Sequence, residues 1–261
     1  VSDCTISNMK LTTPSVSNYG GLFGYSVGTD ISRVNVYDSE LNIDSVSYSC
    51  GGVVGQSHGD TRIRDINIKN LPDIGKNSSH MTGGLVGSAW DTEIKNVKIL
   101  NDKILEDGTE LHMNLIAKTE YGDVGGLVGY VFGKAITKNI EIDKINITGI
   151  NAGGLIGKVT GDYEADSTKI SNLNIDSTEK AGGIAGMNGS KITVDDVNMK
   201  NLEFTNVAYN YSSYNGFVGG VTAVSVGNHD ISNVRITDFK INDPSKVELT
   251  KGINSIGGIA G

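Results

Sequence analysis

The chain has little of what helical, disulfide-stapled or cofactor-binding domains use. Of 261 residues only three are proline, two cysteine and one tryptophan, and aromatics make up 6%. That composition excludes a proline-rich linker and a disulfide framework. No run of about eighteen apolar residues is present, so membrane insertion is not expected. No basic-then-apolar leader is present either, so the sequence shows no export signal of its own. Lysine and arginine number 22 against 30 acidic residues, a net charge of −8. Affinity for phosphates needs clustered basic residues, so nucleic acid is not an expected partner.

The usual catalytic constellations are missing too. His58, His80, His112 and His229 lie far apart, none with a second histidine three or four residues away, so no His-Glu-x-x-His zinc helix exists and each reads as a surface residue. No serine sits in a Gly-x-Ser-x-Gly elbow next to a strand-to-helix turn, as a hydrolase nucleophile would. No cofactor is expected. The two cysteines are separate cases, and Cys50, directly before a glycine pair, reads as a small core-filling thiol.

Glycine, in contrast, is abundant, with 35 copies, and it recurs in a fixed form. A Gly-Gly-apolar-apolar-Gly signature starts at Gly20-Gly21, Gly51-Gly52, Gly83-Gly84, Gly125-Gly126, Gly153-Gly154, Gly182-Gly183, Gly219-Gly220 and Gly257-Gly258, with the Gly219 copy degraded to Gly-Gly-Val-Thr-Ala. A period near thirty residues marks a stacked array. Between the glycine pairs runs an Ile-x-x-apolar-x-apolar pattern: Ile31 to Val36, Ile63 to Ile68, Ile94 to Ile99, Ile170 to Ile175 and Ile231 to Ile236. Apolar alternation of this length reads as strand. The same pattern at Ile6 to Leu11 precedes any glycine pair, so the array is expected to be a piece of a longer one, cut partway through a unit at both ends.

A third alternating segment in many units, such as Leu41-Asn42-Ile43 or Phe239-Lys240-Ile241, implies three strands per unit. The expected fold is therefore all-β: a right-handed parallel β-helix of about eight three-sided coils, ~40 Å long, in one domain over residues 1–261. Leu22, Val53, Leu85, Leu127, Leu155, Ile184, Val221 and Ile259 form an aliphatic inward column. The next column, Phe23, Val54, Val86, Val128, Ile156, Ala185, Thr222 and Ala260, is more varied and is expected to be less buried. The paired glycines are expected to serve a tight bend, through positive φ and close backbone packing. A leucine-rich repeat would lack the glycine strand and keep a shorter period, and a calcium nonapeptide roll would repeat aspartate every nine residues.

Insertions near 100–123, 205–216 and 242–253 break the period, and binding is expected there rather than in the stacked core. Tyr209, Tyr211 and Tyr214 form a Tyr, Ser and Asn loop suited to glycan or protein contact, or to packing on its own coil. Asp162, Glu164 and Asp166 alternate in what reads as an insertion, Gly161 to Thr168, as a candidate calcium site or a solvated loop.

The Gly-Gly-Leu-Val-Gly and Gly-Gly-Leu-Ile-Gly copies at 83–87, 125–129 and 153–157 resemble the GLUG repeat. That repeat occurs in large bacterial surface proteins, including the region ahead of the catalytic domain of immunoglobulin A protease-like zinc metallopeptidases. The resemblance implies an extracellular or cell-wall-attached array, with a Gram-positive source suggested by the few cysteines. It also implies a non-catalytic role, spacing or orienting neighbouring domains of the same chain and contacting a host glycoprotein or glycan. Two alternatives stay open: an adhesin acting through the tyrosine loop, and a carbohydrate-active β-helix enzyme with acids and bases gathered in one groove.

Overall fold

A computed structural model describes residues 1–13, 16–43, 46–71, 73–75, 80–117, 119, 122–205, 216–242 and 253–257. Among them there is no helix, and every strand pairs in parallel with the equivalent segment one unit away. The chain is a parallel β-solenoid. Seven segments that follow the glycine pairs, from Phe23–Val27 to Thr222–Ser225, stack into one seven-stranded sheet. Seven strands make six steps of about 4.8 Å, or ~29 Å of axis. This is shorter than the eight coils expected, because the Gly257 unit is described only through Gly257.

Register follows the sequence pattern where it is densest. Ile31 pairs with Ile63 and Ile63 with Ile94, while Val34, Ile66, Val97 and Ile140 form the next column. These side chains are at most 1% exposed, as period-two alternation over a closed core requires. Cys50 lies in another aligned column, running Tyr19, Cys50, Thr82, Val124, Ala152 and Ala181.

The coil has more corners than a triangle. Seventeen non-glycine residues among those described adopt positive φ, and all but Asp60 and Asp91 fall in two columns. One column is Asp3, Arg33, Asp65, Asn96, Asn139, Ser167, Asp196 and Asn233; the other lies five residues further on, at Asn8, Asp38, Asn70, Lys144, Asn172, Asn201 and Asp238. Asn and Asp dominate because their short polar side chains tolerate the left-handed region that β-branched residues avoid. The Ile-x-x-apolar-x-apolar pattern is thus two short segments joined at a left-handed third residue. Its copies do not all occupy one phase: Ile31 to Val36 sits at the first corner, whereas Ile6 to Leu11 and Ile170 to Ile175 sit at the second, since Ile6 pairs with Val36 and Ile170 with Ile142.

The corner side chains bond along the axis. Asn96 donates to Asp65 at 2.8 Å and Asn139 to Asn96 at 2.9 Å, and a parallel ladder runs Asp73, Asn114, Asn146, Asn174 at 2.7 to 2.9 Å. Exposed ion pairs such as Lys98 with Glu141 and Lys138 with Asp166 also join neighbouring coils. Each is worth little alone.

The glycine pairs work differently from expectation. None of the paired glycines among the described residues has a positive φ; close packing alone accounts for them. A Cβ on Gly51 would stand 2.8 Å from Leu85 O of the next coil, one on Gly153 2.8 Å from Ile184 O, and one on Gly52 would run into Gly84 O. The chain arches back on itself there so tightly that only backbone fits between layers. The arch also explains why the second apolar column is as buried as the first. Val53 N–H and Val54 N–H both donate to Leu85 O, at 3.0 and 3.1 Å, and the arrangement repeats at Leu85 and Val86 onto Leu127 O. The chain turns between the two residues, so they do not alternate faces, and Val54, Val86, Val128, Ile156, Ala185 and Thr222 are all fully buried.

Candidate functional site

Each feature read from the sequence has a place in the solenoid, and most are structural. Asp162, Glu164 and Asp166 do not converge. Glu164 pairs with Lys134 at 3.2 Å, Asp166 with Lys138 at 2.6 Å, and Asp162 accepts from the Ser190 hydroxyl at 3.0 Å. Residues 163–168 are no insertion but part of the regular strand Tyr163–Gly182, in register with Ala135 to Ile140. No group of three metal-ligating side chains gathers among the described residues. Tyr209, Tyr211 and Tyr214 lie outside the described residues, as do most of the insertions near 205–216 and 242–253.

The insertion near 100–123 is smaller than its interval suggests. Met113–Ile116 is an ordinary coil strand pairing with Ile145 to Thr148, and Met113 and Leu115 are fully buried. What remains, 101–112, folds as a short hairpin closed by an Ile104–Glu110 bridge and a Leu105–Thr109 turn. It is tethered at its base by Asn70 Oδ1, which accepts the Asp102 and Lys103 N–H groups, and by a 3.0 Å Lys144–Glu110 ion pair. Beyond it, His112, Asn172, Asn201, Glu203 and Phe239 line an open groove of about 580 Å³.

Two buried titratable groups stand out. Cys50 is fully buried, and burial pushes its thiol up to about 12, which makes it inert as a nucleophile. Asp123, 4% exposed, sits where neighbouring coils carry Met81 and Asn151. Desolvation raises its carboxyl to about 6, against the opposing hydrogen bond from Asn151 Nδ2 at 2.6 Å and the charges of Lys158 and Lys180.

The feature that sequence reading missed is a row of aromatic rings on the outside of the seven-stranded sheet. Tyr25 and His58 approach with centroids 5.5 Å apart, His58 and Trp90 stack at 4.9 Å, and Trp90 and Phe132 stack at 4.7 Å with only 6° between planes. Tyr130 packs against Phe132, and the Lys158 ammonium lies 5.3 Å above the Tyr130 ring. His58 is therefore a stacked ring rather than an isolated surface histidine. The signal was present: His58, Trp90 and Phe132 each fall seven residues after the first glycine of their pair. Tyr25 and Trp90 remain 53% and 39% exposed.

A cleft of about 320 Å³ opens beside this row, lined by Asp60, Arg62, Asp91, Glu93, Lys134 and Ile136, with Thr61 and Thr92 at its floor. Ala135 and Thr92 fix its walls in register. Arg62 faces Glu93 at 4.0 Å and Lys134 is paired with Glu164. Asp91 Oδ1 accepts the Lys134 backbone N–H at 3.1 Å, while neither Asp60 nor Asp91 pairs with a cation among the described residues.

No protein-family model matches the chain, and no curated protein matches it. Among solved structures, a candidate immunoglobulin A1 protease from Bacteroides ovatus aligns over 98% of this chain and 66% of its own, with 17% identity and a TM-score of 0.48. An endo-xylogalacturonan hydrolase from Aspergillus tubingensis aligns over 100% of this chain and 90% of its own, with 13% identity and a TM-score of 0.28.

Proposed function

We propose that the solenoid is a non-catalytic extracellular scaffold within a larger bacterial surface or secreted protein, of the immunoglobulin A protease-like peptidase type, that holds neighbouring domains at a set distance and orientation and contacts a host glycoprotein. The observation that carries the reading is the single uninterrupted core. Columns such as Val36, Ile68, Ile99, Ile142, Ile170 and Met199 stay buried from coil to coil, so the units have no hinge between them. Each coil adds a fixed rise, and a nearest-neighbour stack of this kind transmits position along its axis. Many of the outer acids and bases pair from coil to coil, as Lys98 does with Glu141, Lys134 with Glu164 and Lys138 with Asp166, which supports a spacer; the cleft that gathers several charges, between Asp60 and Lys134, keeps the carbohydrate-active alternative as the second reading.

The test is a distance distribution. Spin labels on Asn35→Cys and Arg235→Cys, in a Cys4→Ser background, lie in one register column six steps apart. A rigid spacer gives a narrow distribution centred near ~29 Å plus the label arms. A distribution broad enough to include half that separation would overturn the scaffold reading.

A further inference from the structure

We propose that the aromatic row is a docking face for an extended, basic segment of a partner protein, seated with its apolar side chains on Tyr25, His58, Trp90 and Phe132 and a cation in the Asp60/Asp91 cleft. This goes beyond spacing, because it gives the rod a surface with its own binding chemistry.

The row is apolar, rigid and outward-facing. Stacking of His58, Trp90 and Phe132 at 4.7 to 4.9 Å covers ring faces against one another and leaves ring edges to solvent, so the row forms a ridge rather than a set of separate platforms. Its four members span three coil steps, ~14 Å, which about four or five residues of extended chain would cover. Contiguous exposed aromatic surface of this kind is uncommon away from interaction sites, and immobile rings cost little entropy to cover.

The occupant is chosen by charge. Asp60 and Asp91 occupy equivalent positions in successive coils, immediately before the paired Thr61 and Thr92, and both line the cleft as exposed residues. The cleft also holds Arg62 and Lys134, of which Lys134 is drawn to Glu164 at 3.2 Å, while Arg62 reaches Glu93 only at 4.0 Å and Lys95 holds Glu93 more closely. An arriving cation meets Asp60 and Asp91 as acceptors that no cation pairs with among the described residues, on a chain whose net charge is −8. An arginine suits it well: the guanidinium fork spans acceptors about 5 Å apart, and its stem lies along apolar surface. An acidic segment or a nucleic acid would meet repulsion at the same place.

Trp90 is the sole tryptophan, so its fluorescence reports on the ridge directly. The chain is titrated with a nine-residue peptide alternating arginine and leucine, with the same peptide carrying glutamate for arginine, and with a panel of neutral oligosaccharides. The expected result is a saturable Trp90 change with the basic peptide alone, weakening at least tenfold in Asp60→Asn/Asp91→Asn and in Tyr25→Ala. Glu106→Gln/Asp107→Asn removes the same charge from the distant hairpin and should leave affinity unchanged, which separates a site from general attraction to an acidic protein. Equal weakening in that control would overturn the proposal. So would a Trp90 response to an oligosaccharide without one to the peptide, or no Trp90 response at all. Both aspartates are exposed, so circular dichroism should confirm unchanged folding of the variants.

Discussion

Replacing Asp123 with asparagine should stabilise the solenoid at neutral pH and leave it unchanged in acid. The carboxyl is nearly enclosed, and desolvation lifts it from 3.8 to about 6 in the folded chain. A difference of about two pKa units corresponds to ~3 kcal/mol between the two protonation states. The sign follows from which state holds the proton. The folded chain binds it more tightly than the unfolded one, so this group favours folding most below pH 4, and that contribution is lost as pH rises through 6. At pH 8 the folded chain carries a desolvated carboxylate that the Asn151 amide, its one side-chain hydrogen-bond partner among the described residues, only partly compensates. The amide introduced by Asp123→Asn would resemble the neutral acid at every pH, so the variant should gain up to ~3 kcal/mol at pH 8 and almost nothing at pH 4. Other carboxylates pull the opposite way, since Asp102, Asp166 and Asp195 are held below their usual range by hydrogen bonds and are destabilising when protonated. Only the difference between variant and parent isolates Asp123. The assay is urea unfolding followed by Trp90 fluorescence at pH 8, 6 and 4, compared at each pH. A difference that does not change with pH, or a variant less stable at pH 8, would refute the reasoning.

Other outcomes follow from the same geometry. Gly153→Ala places a methyl against Ile156 O, Gly186 N and Ile184 O and should cost about 3 kcal/mol or prevent folding, whereas Gly189→Ala, whose nearest neighbour is Val159 O at 3.4 Å, should change stability by less than ~0.5 kcal/mol; paired melting curves decide it. Ser167, at φ 51° in the first corner column, should become more favourable as glycine by roughly 0.5–1 kcal/mol, and a lower melting temperature for Ser167→Gly would count against strain at that corner. Iodoacetamide at pH 8 should modify Cys4 in the folded chain and spare Cys50 until denaturant is added, since burial pushes Cys50 up to about 12; mass spectrometry showing early Cys50 modification would mean the coil opens locally.

Much of the architecture was legible because it is local and repeated. Glycine pairs every thirty residues or so and period-two apolar runs are enough to require stacked parallel strands, and the alignment of Ile31, Ile63 and Ile94 was readable before any coordinates. The left-handed corners were visible too, in the Asn and Asp residues at the third position of every such Ile-x-x unit except Ile31-Ser32-Arg33, but a motif written with x at that place hides them. Three matters were decided only by the tertiary structure. Two corners five residues apart accept the same motif, so sequence similarity alone could not say that Ile170 to Ile175 lies one corner beyond Ile94 to Ile99. The arch lets Val53 and Val54 share one acceptor and escape strand alternation, so burial of the second column depended on a turn that no period encodes. The aromatic row exists because residues some thirty to forty apart in sequence are brought within about 5 Å by stacking; each ring taken alone is an isolated surface residue, and only the register makes them one surface.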